Sequence, residues 1–303
     1  MKRPIQITVA LLPMMFWGMS FVWTKIVYQY YGPATTVTVR LILATIFLSL
    51  FIRLTGKRET IRPEDRKLFF IVALLQPFCY FLGESYGVKY VSATLASVTI
   101  ATIPVITPVF AALLLGERMS RTNITGLLLS FVGVTVMVVS PSLDIDASPF
   151  GLAALGFAVL SAVGYGLLIK RISERYSSLT IVNLQNIIGI LFFLPVMFMT
   201  EGTRIFEVVP TWELVRTILL LAILCSTVAF ILLTITIREI GISRANIYTN
   251  TIPVFTAVFA WLVIGETLSL RQVVGMGIVL GGLLLSQITR KKPRTREMLY
   301  VEG

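Results

Sequence analysis

The sequence predicts an all-α integral membrane fold: ten transmembrane helices arranged as two inverted-topology repeats of five. Three observations carry that prediction. The first is composition. Of 303 residues, 56% are hydrophobic and 14% charged, with mean hydropathy +0.88, against about 45–50% apolar and about 25% charged in ordinary soluble domains. The second is the recurrence of apolar stretches near the length that crosses a bilayer, roughly 20 residues. The third is a segment written twice. Residues 102–117 read TIPVITPVFAALLLGE and residues 251–266 read TIPVFTAVFAWLVIGE, identical at 11 of 16 ungapped positions.

The ten stretches lie near 6–29, 34–54, 67–87, 92–115, 121–140, 148–170, 179–200, 213–236, 242–264 and 270–289. The first follows Lys2-Arg3, but its apolar run is too long for a signal-peptide core and lacks a small-residue cleavage site, so it is expected to stay as a span. Joints between stretches are short and carry turn chemistry, as at Gly32-Pro33, GERMSRTN and SPSLDIDASP. All three aspartates, Asp65, Asp144 and Asp146, fall in joints. No joint is long enough for a soluble domain.

Orientation follows from the positive-inside rule. With the amino terminus in the cytoplasm, inside segments hold 20 of the 26 basic residues, including five in the tail RKKPRTR. Outside segments and span ends hold Lys25, Lys89, Arg204, Arg216 and Arg271, and Arg40 falls within a span. Both termini are therefore expected on the cytoplasmic side. The net charge of +11 suits an anionic lipid surface, and no basic patch interleaved with exposed aromatics points to nucleic acid.

The doubled segment organises the rest. It continues with Ser120 opposite Ser269, Gly126 opposite Gly275 and Gly133 opposite Gly282, so the fourth span corresponds to the ninth and the fifth to the tenth. Two copies of a five-span unit must lie upside-down to one another, a hallmark of secondary transporters with a solute site between the halves. The division is expected at residues 1–143 and 144–303, the second unit ending in the basic cytoplasmic tail. Earlier spans align more weakly at a shift of 146, which pairs Lys25 with Arg171 and Arg40 with Asn186.

FWGMSFVWTKIV in the first span, VRLILA in the second and the doubled Pro…Gly-Glu segment resemble the EamA-type branch of the drug/metabolite transporter superfamily. The resemblance covers about residues 5–290 as two EamA-like units. It implies a ten-helix bundle that exports small metabolites, often amino acids and in some members drugs, across a bacterial inner membrane. The polar third span departs from the usual apolar one.

Enzymatic chemistry finds little to stand on. Histidine is absent, Cys79 and Cys225 sit singly in apolar runs, and neither a GxxxxGK[ST] phosphate loop nor a GxSxG elbow occurs. No cofactor or metal is expected. A small-molecule solute, membrane lipids and, on one reading, protons are the expected partners.

The residues able to act on a solute cluster in few places. LLQPFCYFLGESYG sets Gln76, Tyr80 and Glu84 at i, i+4 and i+8, one face of a continuous helix, with Gly83 and Gly87 allowing close approach of another helix. Glu84 is the one acidic residue well inside a span, and such groups face a partner, the interior or water. By count from the span ends, Arg40, Glu84 and Lys25 share a depth in the outer third of the bilayer. Two readings stand: a structural Arg40–Glu84 salt bridge, or a lining where a zwitterionic or anionic solute meets Arg40 or Lys25 while Glu84 takes an amine or a proton. In the second half, Asn183 and Asn186 in TIVNLQNIIG and Asn246 and Asn250 in SRANIYTN are either ligands or helix–helix glue. Trp17, Trp23 and Tyr165 could line a cavity or serve as packing. Pro104 and Pro253 lie mid-span and are expected to bend their helices as a hinge or a fixed kink, with Pro108 adding a break in the first half only. Glu117 and Glu266 end the motif helices and are expected at the interfaces, holding the next helix start or a basic neighbour.

Overall fold

The computed structural model describes residues 3–115, 121–139, 147–173, 175–202, 204–240 and 248–286, and among them secondary structure is helical throughout, with no strand. Six helical segments are long and apolar enough to cross a membrane: Ile7–Val27, Pro33–Leu54, Pro63–Tyr90, Pro149–Ser173, Ser178–Glu201 and Trp212–Leu233. Four shorter apolar helices accompany them, Ala93–Thr107, Ile124–Met137, Ile252–Ile264 and Leu270–Leu285. Glu117 and Asn246 lie outside the described residues.

Helix α1 (Arg3–Val27) turns through Tyr28–Gly32 into α2 (Pro33–Leu54), with Pro33 in the first turn, where its missing N–H costs nothing. The next segment is not one helix. It runs as α3 (Arg66–Ala73), a widened π turn over Leu74–Cys79, and α4 (Tyr80–Tyr90). Gln76 is extended there, with φ −146° and ψ 118°, because Pro77 pushes the residue before it out of the α region. This corrects the expectation of an unbroken Gln76–Tyr80–Glu84 face. Ser92 caps α5 (Ala93–Ile100) by accepting the Leu95 N–H, and α6 (Ile103–Leu115) follows a turn at Ala101–Thr102. Beyond it come α7 (Arg121–Val138), α8 (Pro149–Ser173) and α9 (Ser178–Glu201), the last capped by Ser177. The remaining long segment is again broken: α10 (Trp212–Leu220), a π turn over Leu221–Val228, and α11 (Ala229–Ile240). Helix α12 (Ile252–Ile264) closes on Gly265 in the left-handed region, φ +66°, a conformation suited to glycine, and α13 (Leu270–Ser286) completes the described chain.

Pro104 and Pro253 are not mid-helix kinks. Each sits in the first turn of a helix that restarts after a break, α6 and α12. The two breaks are built alike. Thr102 and Thr251 donate their hydroxyls to the carbonyls of Thr99 and Tyr248, and Thr107 and Thr256 to those of Ile103 and Ile252.

Small residues set the helix contacts. Helices α7 and α13 pack closely: a Cβ on Gly133 would stand 2.7 Å from the Gly275 carbonyl, and one on Gly282 2.7 Å from that of Gly126. As the numbers rise on one helix they fall on the other, so the pair is antiparallel. Helix α4 lies on α8 in the same manner, Gly83 against Ala154 and Ala158 and Gly87 against Leu155. Helix α2 packs on α9, and α1 on α12 and on the α10–α11 segment.

Candidate functional site

Both broken segments expose backbone groups that an intact helix would use, and side chains from across the bundle take them up. At the Leu221–Val228 turn, Trp17 Nε1 donates to the Cys225 carbonyl at 3.0 Å, and Arg40 Nε donates to Ser226 Oγ at 2.8 Å. At the Leu74–Cys79 turn, Gln185 Nε2 donates to the Gln76 carbonyl at 3.2 Å, and Cys79 hydrogen-bonds Ser161. Each turn thus has a backbone carbonyl taken up from across the bundle, by Trp17 of α1 or Gln185 of α9, and Arg40 of α2 ties on through the Ser226 side chain. Buried backbone polar groups left unpaired in the bundle interior would be costly.

Between these braces lies a cavity of about 490 Å³. Trp17, Arg40, Gln76, Tyr80 and Glu84, expected as lining from sequence, border it, and so does Pro104, expected as a hinge. Arg40 is only 8% exposed. Its guanidinium lies 5.0 Å from the centroid of the Phe81 ring, and the Tyr80 hydroxyl donates to Glu84 Oε1 at 2.6 Å. Arg40 and Glu84 therefore share a cavity without an ion pair between them, each held by a neutral neighbour. That arrangement decides against a simple Arg40–Glu84 salt bridge and leaves a guanidinium and a carboxyl group facing the same space. Trp17 meets Phe230 edge-on at 5.4 Å, so part of the lining is aromatic.

The second-half candidates go elsewhere. Tyr165 hydrogen-bonds Gln185. Asn183 Oδ1 accepts from the Ser49 hydroxyl at 3.2 Å, tying α9 to α2. Asn186 is buried with no hydrogen-bond partner for its Nδ2, and Asn250 is buried at the turn before α12. None of the four lines the cavity, and Pro253, buried at the start of α12, does not either. Trp23 packs with Val27 against Leu214, Ile218 and Leu221. Lys25 is outside the lining but within electrostatic reach of Glu266.

Several lining residues escaped the sequence reading, notably Phe81, Ser97, Thr107, Phe230 and Thr249. Thr249 sits in the same SRANIYTN run as Asn250, one position from the residue that attracted notice. Ser97 and Thr107 are small hydroxyls on apolar helices, and such hydroxyls more often bond their own helix's carbonyls, as Thr107 does here.

Glu266 has a role different from the two expected. Its carboxylate accepts the Ala93 and Thr94 N–H groups at 3.0 and 3.1 Å, so it caps α5 in the other half of the chain, not the helix that follows it. Glu201, at the end of α9, does the same for α2 through Ala34 and Thr35 at 2.7 and 3.1 Å. Glu59, in the joint after α2, accepts the Ser177 N–H and hydroxyl at the start of α9, both at 3.0 Å. A carboxylate at a helix N-terminus satisfies orphan donors and the positive end of the dipole together.

The family model for EamA-like transporters matches the chain twice, at residues 4–139 and 149–287. The chain belongs to the EamA-like transporter family. This member of the EamA-like family is 25% identical to an uncharacterized transporter of Archaeoglobus fulgidus, over 93% of this chain and 97% of that one. It is also 25% identical to the uncharacterized transporter YcxC of Bacillus subtilis, over 92% and 91%. A third relative, the chloroplastic WAT1-related protein At3g02690 of Arabidopsis thaliana, is 27% identical over 92% of this chain and 68% of its own. A solved crystal structure shares the fold with TM-score 0.68 at 14% identity, covering 93% of this chain and 98% of that one. The protein is a multi-pass membrane transporter and not an enzyme.

Proposed function

We propose that the protein is a secondary transporter that exports a small, amphiphilic, amino-acid-like metabolite across a bacterial inner membrane by alternating access. In this reading it has ten spans in two inverted units, 1–143 and 144–303, and both termini are cytoplasmic. The observation that carries the solute assignment is the cavity. Its volume falls within the roughly 300–1,000 Å³ of small-molecule sites, and Arg40 and Glu84 meet there against aromatic walls. A carboxylate would find Arg40, an ammonium would find Glu84, and an apolar side chain would find Trp17, Phe81 and Phe230.

The inverted arrangement is supported by contacts that exchange partners between units. Gly126 meets Gly282 and Gly133 meets Gly275, although Gly126 corresponds to Gly275 and Gly133 to Gly282. That reciprocity is what a two-fold axis produces, and the antiparallel crossing supports an axis in the membrane plane. The π turns at 74–79 and 221–228 sit at corresponding places, as do Cys79 and Cys225, which are 146 positions apart. The unit boundary at 143/144 falls between the two family matches. Pro104 and Pro253, each opening a helix after a break, are where the rocking units would flex.

The test is counterflow of labelled amino acids and other metabolites into proteoliposomes holding the purified protein. Exchange of a solute that is lost in both Arg40→Ala and Glu84→Gln, while each stays monodisperse, is the expected result. Exchange that survives both changes would remove the cavity from the mechanism. The Tyr80–Glu84 bond favours a second reading, an uncoupled facilitative permease in which Glu84 keeps that bond and moves no proton. Transport by the coupled form depends on the proton gradient and loses that dependence in Glu84→Gln, whereas the permease never has it.

A further inference from the structure

A second chamber lies above the first. About 390 Å³ of polar space is bounded by Tyr28, Tyr31, Thr35, Tyr86, Lys89 and Glu201, at the end of the bundle where α1 turns into α2 and where α4 and α9 finish. Below it, a small space is lined by Thr24, Thr36 and Ser85 and also by Arg40 and Glu84, the two charges of the central cavity. The two charges thus border both spaces, and the way upward from them stops below the second chamber.

What stops it is thin. On the first helix Thr24 faces the lower space and Tyr28, one turn on, the upper. On the second, Thr36 faces the lower and its neighbour Thr35 the upper. On the third, Ser85 faces the lower and its neighbour Tyr86 the upper. A single layer of side chains separates the two chambers. One hydrogen bond crosses that layer between helices: the Tyr28 hydroxyl donates to the Ser85 carbonyl at 2.9 Å, joining the end of α1 to the middle of α4. Glu201 fixes the same layer from the other side by holding the first turn of α2.

We infer that Tyr28 is the outer gate of the solute path, and that its bond to the Ser85 carbonyl closes the charged cavity against the upper chamber, which receives the solute once that bond opens. The inference rests on the transporter reading for its solute, but the barrier itself can be tested without one. The upper chamber offers tyrosine hydroxyls, one exposed lysine and the Glu201 carboxylate, whose oxygens already accept the Ala34 and Thr35 N–H groups, so a zwitterion leaving Arg40 and Glu84 exchanges strong partners for weak ones on its way out.

The experiment uses the full chain in proteoliposomes, with Cys79 and Cys225 replaced by serine and one reporter cysteine added, at Lys89→Cys, exposed in the upper chamber, or Thr24→Cys below the layer. A membrane-impermeant thiol reagent is applied to each side in turn, and the side on which Lys89→Cys reacts is the chamber side. With Tyr28 present, Thr24→Cys should react slowly from that side. Tyr28→Phe, which removes only the hydroxyl, should raise that rate about fivefold, the population shift expected for losing one hydrogen bond, and leave the Lys89→Cys rate unchanged. Tyr28→Leu serves as a second variant without the hydroxyl, in case one of the two is poorly folded. Thr24→Cys reactivity that is equally slow in both variants overturns the gate, as does reactivity already fast with Tyr28 in place. Counterflow in the same vesicles separates the two ideas: a rise in labelling without any counterflow in the parent protein upholds the barrier and counts against the transporter reading.

Discussion

The two halves of the chain use corresponding positions for opposite purposes. Arg40 in α2 and Asn186 in α9 align at a shift of 146. Both are buried, and both helices brace the broken segment of the other half, α2 through Arg40 itself and α9 through Gln185. Arg40 nevertheless looks into the cavity, with Tyr80, Phe81 and Glu84 around it, whereas Asn186, Asn183 and Tyr165 are spent on packing between helices. Among the described residues, the second half contributes to the lining through Phe230, Thr249 and Ile252. A shared scaffold therefore does not imply a shared site. The braces are required wherever a helix is broken in an apolar medium, while the charges are needed once.

The largest effect that would test this contrast is on transport. Replacing Arg40 by Ala or Glu84 by Gln should lower initial counterflow at least about tenfold, equivalent to about 1.4 kcal/mol of lost solute interaction. Asn186→Ala and Asn183→Ala in the same assay should stay within about threefold, since amide contacts between membrane helices average near 0.6 kcal/mol. Equal losses in both sets would mean that the halves share the site after all.

A smaller effect concerns the contacts between halves. Gly83→Val would drive a Cβ to 2.5 Å from the Ala154 carbonyl and should cost about 1–3 kcal/mol of overpacking, seen as a lower unfolding temperature in detergent. Gly156, on the helix that Gly83 touches, has nothing within 4 Å of an added Cβ. Gly156→Ala should leave that temperature unchanged or raise it slightly, because alanine is the better helix former.

The smallest effects belong to the carboxylate caps. Glu201→Ala and Glu266→Ala should each lose about 1 kcal/mol, as for other N-cap deletions. Glu59 adds a pH signature. Its partial burial opposes ionisation, but hydrogen bonds from the Thr180 hydroxyl and from the Ser177 amide and hydroxyl outweigh it and hold the carboxyl below the usual range. A depressed native pKa stabilises above the unfolded carboxylate pKa and is lost as pH falls through the native one. The unfolding-temperature difference between the parent protein and Glu59→Gln should therefore be constant at neutral pH and disappear on acidification below the carboxylate range. A difference that persists in acid would mean the cap acts through shape, not charge.

Much of the site was legible for one reason: a charge inside an apolar span has few places to go. Arg40 and Glu84 had to face the interior, and the residues one turn from Glu84 followed. Gln76 lines the cavity, but not on the helical face expected for it, since Pro77, visible in the sequence, breaks the helix that was to carry it. The amides were not legible in this way. An amide is satisfied as well by a neighbouring helix as by a solute, so TIVNLQNIIG and SRANIYTN alone could not separate glue from ligand.

By itself, the sequence determined the membrane class, the apolar helices, the doubled motif and the family, because these depend on local hydropathy and on repetition along the chain. Only the tertiary structure decided that Arg40 bonds Ser226 instead of Glu84, and that Glu266 caps a helix 173 residues away. Tyr28 reaching the Ser85 carbonyl is a third such decision. Each of these is a choice among partners far apart in sequence, set by which helices pack together, and local pattern carries no information about that choice.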